Sequence, residues 1–288
     1  MPTKAEKDAL TGKVTTEHEW DGIRELNTPL PTWWLYILYA TIAWALVMFV
    51  LYPAIPLGWT HTDGVLGVTT RTNLEAELKQ LQAQRAPVMN KIARLEPAEI
   101  RKNPDLLAVA EIAGRSAFAN NCAPCHGPAG SGRIGYPNLA DDVWIWGGTL
   151  EAIKQTITYG VRSSHPQARV SDMPHFGADG LLTAAQIEQV ADYVWTLYGN
   201  PPGPGTAAGQ ALFADNCAMC HGEKGQGSQE MGAPPLAARA HLYGADRATI
   251  VHQVTLPHQG VMPAWTGRLD PATINSLTLY VHSLGGGQ

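Results

Sequence analysis

The sequence predicts a mainly α-helical chain: one N-terminal membrane helix followed by two tandem copies of a small helical domain. Three observations predict it. A run of 20 residues without charge, Trp33 to Tyr52, is long enough to cross a bilayer. The chain beyond residue 105 repeats itself, with "GRSAFANNCAPCHG" at Gly114 to Gly127 answered by "GQALFADNCAMCHG" at Gly209 to Gly222. Within the repeats, apolar residues recur at helical spacing: Ile187, Val190, Val194 and Leu197 in one copy, Ile274, Leu277, Val281 and Leu284 in the other.

Residues 1–32 are polar and mixed in charge. The first 25 carry ten charges and no apolar run, so no cleavable signal peptide is expected there. Residues 33–52 follow as the membrane helix, about 30 Å long. Trp33, Trp34 and Tyr36 at one end and Tyr52 and Trp59 at the other resemble aromatic belts. Pro53 and Pro56 stop the helix. A buried core helix is the competing reading. Lys13 and Arg24 flank the N-terminal side and Arg71 the other. That bias places the N-terminus in the cytoplasm.

Residues 53–104 form a linker with a helix expected over 73–95. Leu74, Leu81, Val88 and Leu95 recur every seven, with Leu78 and Ile92 beside them. This is either an amphipathic helix against a membrane or partner, or a solvated spacer. Pro87 is expected to split or kink it, because its ring clashes with the preceding turn.

The repeats divide into domains at 105–200 and 201–288, separated by the turn-rich "GNPPGPG" of Gly199 to Gly205. "DMPHFG" at Asp172 echoes "VMPAWTG" at Val261, and "PNL" at Pro137 echoes "PPL" at Pro234. "LTAAQIEQVADYVWTL" from Leu182 echoes "LDPATINSLTLYVHSL" from Leu269. Thr183 and Asp270 stand at equivalent N-cap positions.

With 20 Lys+Arg against 25 Asp+Glu, the charge lacks the basic excess of a nucleic-acid binder. The four cysteines, Cys122, Cys125, Cys217 and Cys220, all lie in two Cys-x-x-Cys-His motifs, so no disulfide framework is left. That motif is the attachment signature of c-type haem. Two cysteines three apart on a helical turn reach the two vinyl groups, and the following histidine, His126 or His221, points at the iron. A thioredoxin-like reading needs a βαβ context that the flanks lack. A zinc reading needs a fourth ligand at each site. Two haem c groups are therefore expected, in tandem class I cytochrome c domains.

Met/His ligation is usual in electron-transfer cytochromes c and raises the reduction potential. Each repeat carries one Met-Pro, at Met173 and Met262, 47 and 41 residues after its histidine. Each is expected to be the sixth ligand of its own domain's iron, since the repeat favours each domain supplying its own, with a ligand reaching across between the domains as the open alternative. Met231 is the alternative in the second domain, and a bis-histidine site using His165 or His175 is the alternative in the first. Six-coordinate irons favour relay over catalysis. Haem c is attached outside the cytoplasm in bacteria, so these domains should face the periplasm.

Four further stretches, "HEWDGIRELNTPLPTWW", the single membrane helix, "YPAIP", and "DDVWIWGG" at Asp141 to Gly148, are more specific. Together with the haem motifs, the chain from His18 to Leu284 resembles the dihaem membrane-anchored subunit (CcoP or FixP, subunit III) of cbb3-type cytochrome c oxidases. The resemblance implies a bacterial inner-membrane protein, single-pass, in aerobic respiration. It implies electrons taken from a donor cytochrome c and passed through a monohaem cytochrome c subunit to the haem–copper subunit that reduces oxygen. This chain would then not itself be the catalyst. It implies Cys122 and Cys125 with His126 and Met173 for one haem, and Cys217 and Cys220 with His221 and Met262 for the other. Pro137 and Pro234 would accept the hydrogen bond of each proximal histidine, and Trp144 and Trp146 would lie at a haem edge. A free-standing membrane-tethered dihaem shuttle is the alternative function, and a dihaem peroxidase the more distant one.

Overall fold

The computed structural model describes residues 4–238, 241–285 and 287. The chain forms two compact units, 1–83 and 84–288.

The first unit begins with a two-stranded antiparallel hairpin, β1 (Thr15–Trp20) and β2 (Ile23–Leu26). Asp21 and Gly22 make the turn with φ of 48° and 85°. Positive φ at both central residues matches the right-handed twist of a two-residue hairpin. Arg24 reaches Glu19 at 2.8 Å and Glu6 at 2.7 Å, tying the strands to the preceding segment. Helix α1 (Thr32–Leu51) has a mean hydropathy of 2.1 and no buried residue. A core helix of that composition would be covered by protein. One apolar on all sides and bare suits a lipid surround.

Helix α2 (Thr70–Arg94) runs through Pro87 without splitting, contrary to expectation. The carbonyl freed four residues earlier belongs to Ala83, which is exposed and open to water, as is Pro87. Leu74, Leu78 and Leu81 are 44–54 % exposed. From Val88 onward the helix is packed, and Ile92 is fully buried with Ile100, Ala110, Leu150, Ala272 and Leu279.

The second unit continues with α3 (Pro97–Arg101), α4 (Pro104–Asn121), α5 (Ala123–His126), α6 (Leu150–Tyr159) and α7 (Ala184–Leu197). Then come α8 (Thr206–Asn216), α9 (Ala218–His221), α10 (Arg247–Thr255) and α11 (Pro271–Ser283). Thr183 caps α7 by accepting from the Gln186 amide in a capping box, and Asp270 caps α11 by accepting from that of Thr273.

Two lobes arise, and each draws on both repeats. Helix α4 packs on α11 and α6 packs beside them; α7 packs on α8 with α10. The first helix of one repeat thus meets the last helix of the other. The blocks 105–200 and 201–288 each contribute to both lobes. The connection between α7 and α8 is a short turn segment, which makes them antiparallel neighbours. Once α7 has covered α8, α11 is left to cover α4.

The crossings are alike. Gly114 on α4 lies so close to α11 that a Cβ would overlap the Ser276 carbonyl, and Gly209 on α8 meets the Gln189 carbonyl of α7 in the same way. Next to each glycine an aromatic pair closes the crossing: Phe118–Tyr280 at 5.4 Å and Tyr193–Phe213 at 5.1 Å, both tilted by 58°. In the α7–α8 lobe, buried Asp192 accepts from the Gly205 amide at 2.9 Å and from Arg247 at 2.7 Å. In the other, Asn275 is 2 % exposed and donates to the carbonyls of Ile92 and Leu95 at 2.8 and 2.9 Å. They lie in the last turn of α2 and just past its end, where carbonyls lack a helical partner. Asn275→Ala is expected to lower stability by about 2 kcal/mol, because it strips the buried donor from those carbonyls. Chemical denaturation of the two proteins measures this.

Candidate haem-attachment sites

Each Cys-x-x-Cys-His stretch is a helical turn closing the first helix of its repeat. The amides of Cys125 and His126 donate to the Cys122 carbonyl at 3.0 and 2.9 Å, and those of Cys220 and His221 to the Cys217 carbonyl at 3.2 and 2.9 Å. All four cysteines are free thiols. Burial first, then the neighbouring thiol, pushes Cys122 and Cys217 up to about 11. In the haem-free chain they are therefore neutral thiols near pH 7, unlike the thiolates of a redox Cys-x-x-Cys. Among the described residues no group of three or more His, Cys, Asp or Glu gathers for a bare metal ion.

The histidines are poised for ligation. His126 Nδ1 donates to the Pro137 carbonyl at 3.0 Å, and His221 Nδ1 to the Pro234 carbonyl at 3.0 Å. A carbonyl only accepts, so Nδ1 carries the hydrogen and Nε2 keeps its lone pair. Burial lowers the pKa of both rings, against a smaller raising effect of the proline carbonyl. Both are thus held neutral, the form that binds a metal.

The methionines are distributed across the repeats. Met262 packs in the cluster of Phe118, Ile153, Ile157, Ile274, Leu277 and Val281, together with Cys122 and Trp144. Met173 packs in the other cluster, with Phe176, Val190, Phe213, Cys217 and Ile250. The packing places each methionine in the cluster that holds the other repeat's first cysteine. Met173 accompanies Cys217, and Met262 accompanies Cys122. The cause is the helix exchange: the segments after α6 and α10 cross, each entering the other lobe ahead of its last helix.

Backbone pairing marks the crossing. Val161 and Met262 exchange both amide–carbonyl bonds at 3.0 Å. The Trp265 amide donates to the Ile157 carbonyl at 3.2 Å, at the end of α6, and the Gly177 amide to the Thr255 carbonyl at 3.2 Å, at the end of α10. Gly160 has φ of 76°, and a Cβ there would overlap the Met262 carbonyl oxygen. Gly160→Ala is expected to cost about 2 kcal/mol or more and to displace the Met262 segment, read as a lowered melting temperature.

The alternative ligands have these surroundings. His165 stacks on Tyr159 at 4.7 Å and accepts from the Gln167 amide at 3.1 Å. His175 faces Asp179 at 3.8 Å. Met231 is 42 % exposed. Trp146 lies under the Arg169 guanidinium at 5.2 Å and against Gly232 of the second repeat.

The donor set fits haem c. Each lobe joins two free thiols on one turn, a neutral imidazole and a thioether beside an apolar cluster.

Known proteins carry the same plan. Residues 12–58 match the family model described as the N-terminal domain of cytochrome oxidase-cbb3, FixP. Residues 110–194 and 204–281 match that of cbb3-type cytochrome c oxidase subunit III. The chain is 47 % identical to the cbb3-type cytochrome c oxidase subunit FixP of Bradyrhizobium diazoefficiens, with 100 % of each chain covered. It is 51 % identical to FixP of Azorhizobium caulinodans, covering 98 % of this chain and 96 % of that one. It is 44 % identical to subunit CcoP of Cereibacter sphaeroides over the full length of both. With its cysteine–histidine turns, its apolar N-terminal helix and these matches along its whole length, the chain belongs to the FixP/CcoP family of cbb3-type cytochrome c oxidase subunits.

Proposed function

We propose that the chain is the electron-relay subunit of a cbb3-type cytochrome c oxidase and carries two covalently held haem c groups. The observation that carries this is one donor set occurring twice: a Cys-x-x-Cys-His turn with a methionine in the same apolar cluster. Haem c supplies a one-electron iron couple when bound. Cys122 and Cys125 would tether one group, with His126 and Met262 as the protein donors that would hold its iron. Cys217 and Cys220 would tether the other, with His221 and Met173. The packing of each methionine supports this pairing. The Pro137 and Pro234 carbonyls orient the imidazoles and fix their tautomer.

With a histidine and a methionine to hold each iron, the chain would relay electrons and leave oxygen reduction to the haem–copper catalytic subunit. A donor cytochrome c delivers them, and the monohaem cytochrome c subunit takes them onward. Helix α1 anchors the chain in the bacterial inner membrane. The N-terminal segment lies in the cytoplasm and the haem lobes in the periplasm, in line with Lys13 and Arg24 on the N-terminal flank.

Mild detergent extraction is expected to bring a many-helix haem–copper subunit along with this chain. Replacing residues 1–60 with an unrelated membrane anchor is expected to lose that assembly. Recovery of the chain alone, with oxygen reduction intact in cells lacking it, would overturn the reading.

A further inference from the structure

Arg162 stands where the two methionine segments cross. Its φ of 50° lies in a region unfavourable for a residue with a side chain. Two backbone ties hold it there: its amide donates to the Arg169 carbonyl at 2.7 Å, and the neighbouring Val161 is paired with Met262.

That backbone aims the guanidinium at both segments. Nε donates to the Gly260 carbonyl at 2.8 Å, and Nη1 donates to the Ser171 carbonyl at 2.6 Å. Gly260 precedes Met262 by two residues, and Ser171 precedes Met173 by two. One planar fork thus holds equivalent points on the two strands that carry the thioethers. A second tie runs between the same strands, from Gln259 Nε2 to the Met173 carbonyl at 3.0 Å. The segment that supplies Arg162, between α6 and Met173, is longer than its counterpart between α10 and Met262. The second repeat has no equivalent arginine.

We infer that Arg162 is a positioning residue shared by the two haem sites, its guanidinium setting Met173 and Met262 in register together. This rests on the proposed reading of those methionines as axial ligands. A thioether is a weak ligand, so its strand must be held where the sulfur meets the iron. The fork's donors are rigid and charged, and bonds of that kind are short and directional. A lysine, with one nitrogen on a flexible stem, cannot reproduce the fork.

The test uses the full-length haem-bearing protein and its variants Arg162→Gln, Arg162→Lys, Met173→Ala and Met262→Ala. The readouts are the far-red charge-transfer band of thioether-ligated ferric haem, carbon monoxide uptake by the reduced protein, and the two midpoint potentials. Each methionine variant is expected to remove one of two ligations. Arg162→Gln is expected to weaken both together: both bands fade, both reduced haems take up carbon monoxide, and both potentials drop. Covalent haem content stays unchanged. Arg162→Lys is expected to leave at least one site weakened, and it carries the test if the glutamine variant does not accumulate. Two intact bands with unmoved potentials in the Arg162 variants, or a change confined to one haem in Arg162→Gln, would overturn the inference. A wild-type protein without the band, or methionine variants that keep it, would instead overturn the ligand assignment itself.

Discussion

Cutting the chain between Asn200 and Pro204 is expected to leave the two halves bound to each other. A protease site in place of Pro201–Pro202, both exposed, would allow the cut. The halves share both cores, since α4 meets α11 and α7 meets α8. Parting them would bare Phe118, Val190, Phe213 and Leu277, each at most 2 % exposed. Each such side chain contributes about 2 kcal/mol on burial, and these contacts remain when an exposed peptide bond is cut. Size-exclusion chromatography of the nicked protein in mild detergent should give one peak, with two bands only after denaturation. Separation under native conditions into two haem-bearing pieces would mean that the contiguous repeats are the packing units. Expressed alone, residues 105–200 should fail to accumulate with haem, and co-expression with residues 201–288 should restore them.

Enlarging the crossing glycines is expected to have the next largest effect, and a local one. Gly114→Leu pushes α11 off α4, and Gly209→Leu pushes α7 off α8, because each new Cβ meets a backbone carbonyl that cannot swing aside. Overpacking of this kind costs about 3 kcal/mol or more. For a unit of this size that lowers the melting temperature by about 10 °C. On the proposed reading, Gly114→Leu should perturb the spectrum of a haem on Cys122 and Cys125 first, and Gly209→Leu that of a haem on Cys217 and Cys220. Unchanged melting in both would show that the helices approach less closely than described.

Several elements were legible because their causes are local. The twenty uncharged residues of α1 need no partner to be recognised. Thr183 and Asp270 cap their helices through amides three residues away. The N-terminal hairpin also carries a local signal: Asp21–Gly22 between Trp20 and Ile23 is a two-residue turn sequence. The polar character of the segment obscured it. Pro87 was misleading for the opposite reason, since its penalty is small where the freed carbonyl faces water.

By itself, the sequence carries the motifs that point to haem c. Cysteine spacing, the adjoining histidine, the duplicated Met-Pro and the apolar N-terminal helix are all properties of short stretches. Only the tertiary structure decided which methionine joins which cysteine pair. An amphipathic pattern states which face of a helix is buried, but not against which of two near-identical partners. Helices α7 and α11 carry much the same apolar stripe, and α4 and α8 much the same glycine and phenylalanine. The choice fell to the short Tyr198–Gly205 connection, which folds α7 onto α8 and sends α11 back to α4. Chain geometry, rather than side-chain chemistry, distinguished two equally good fits.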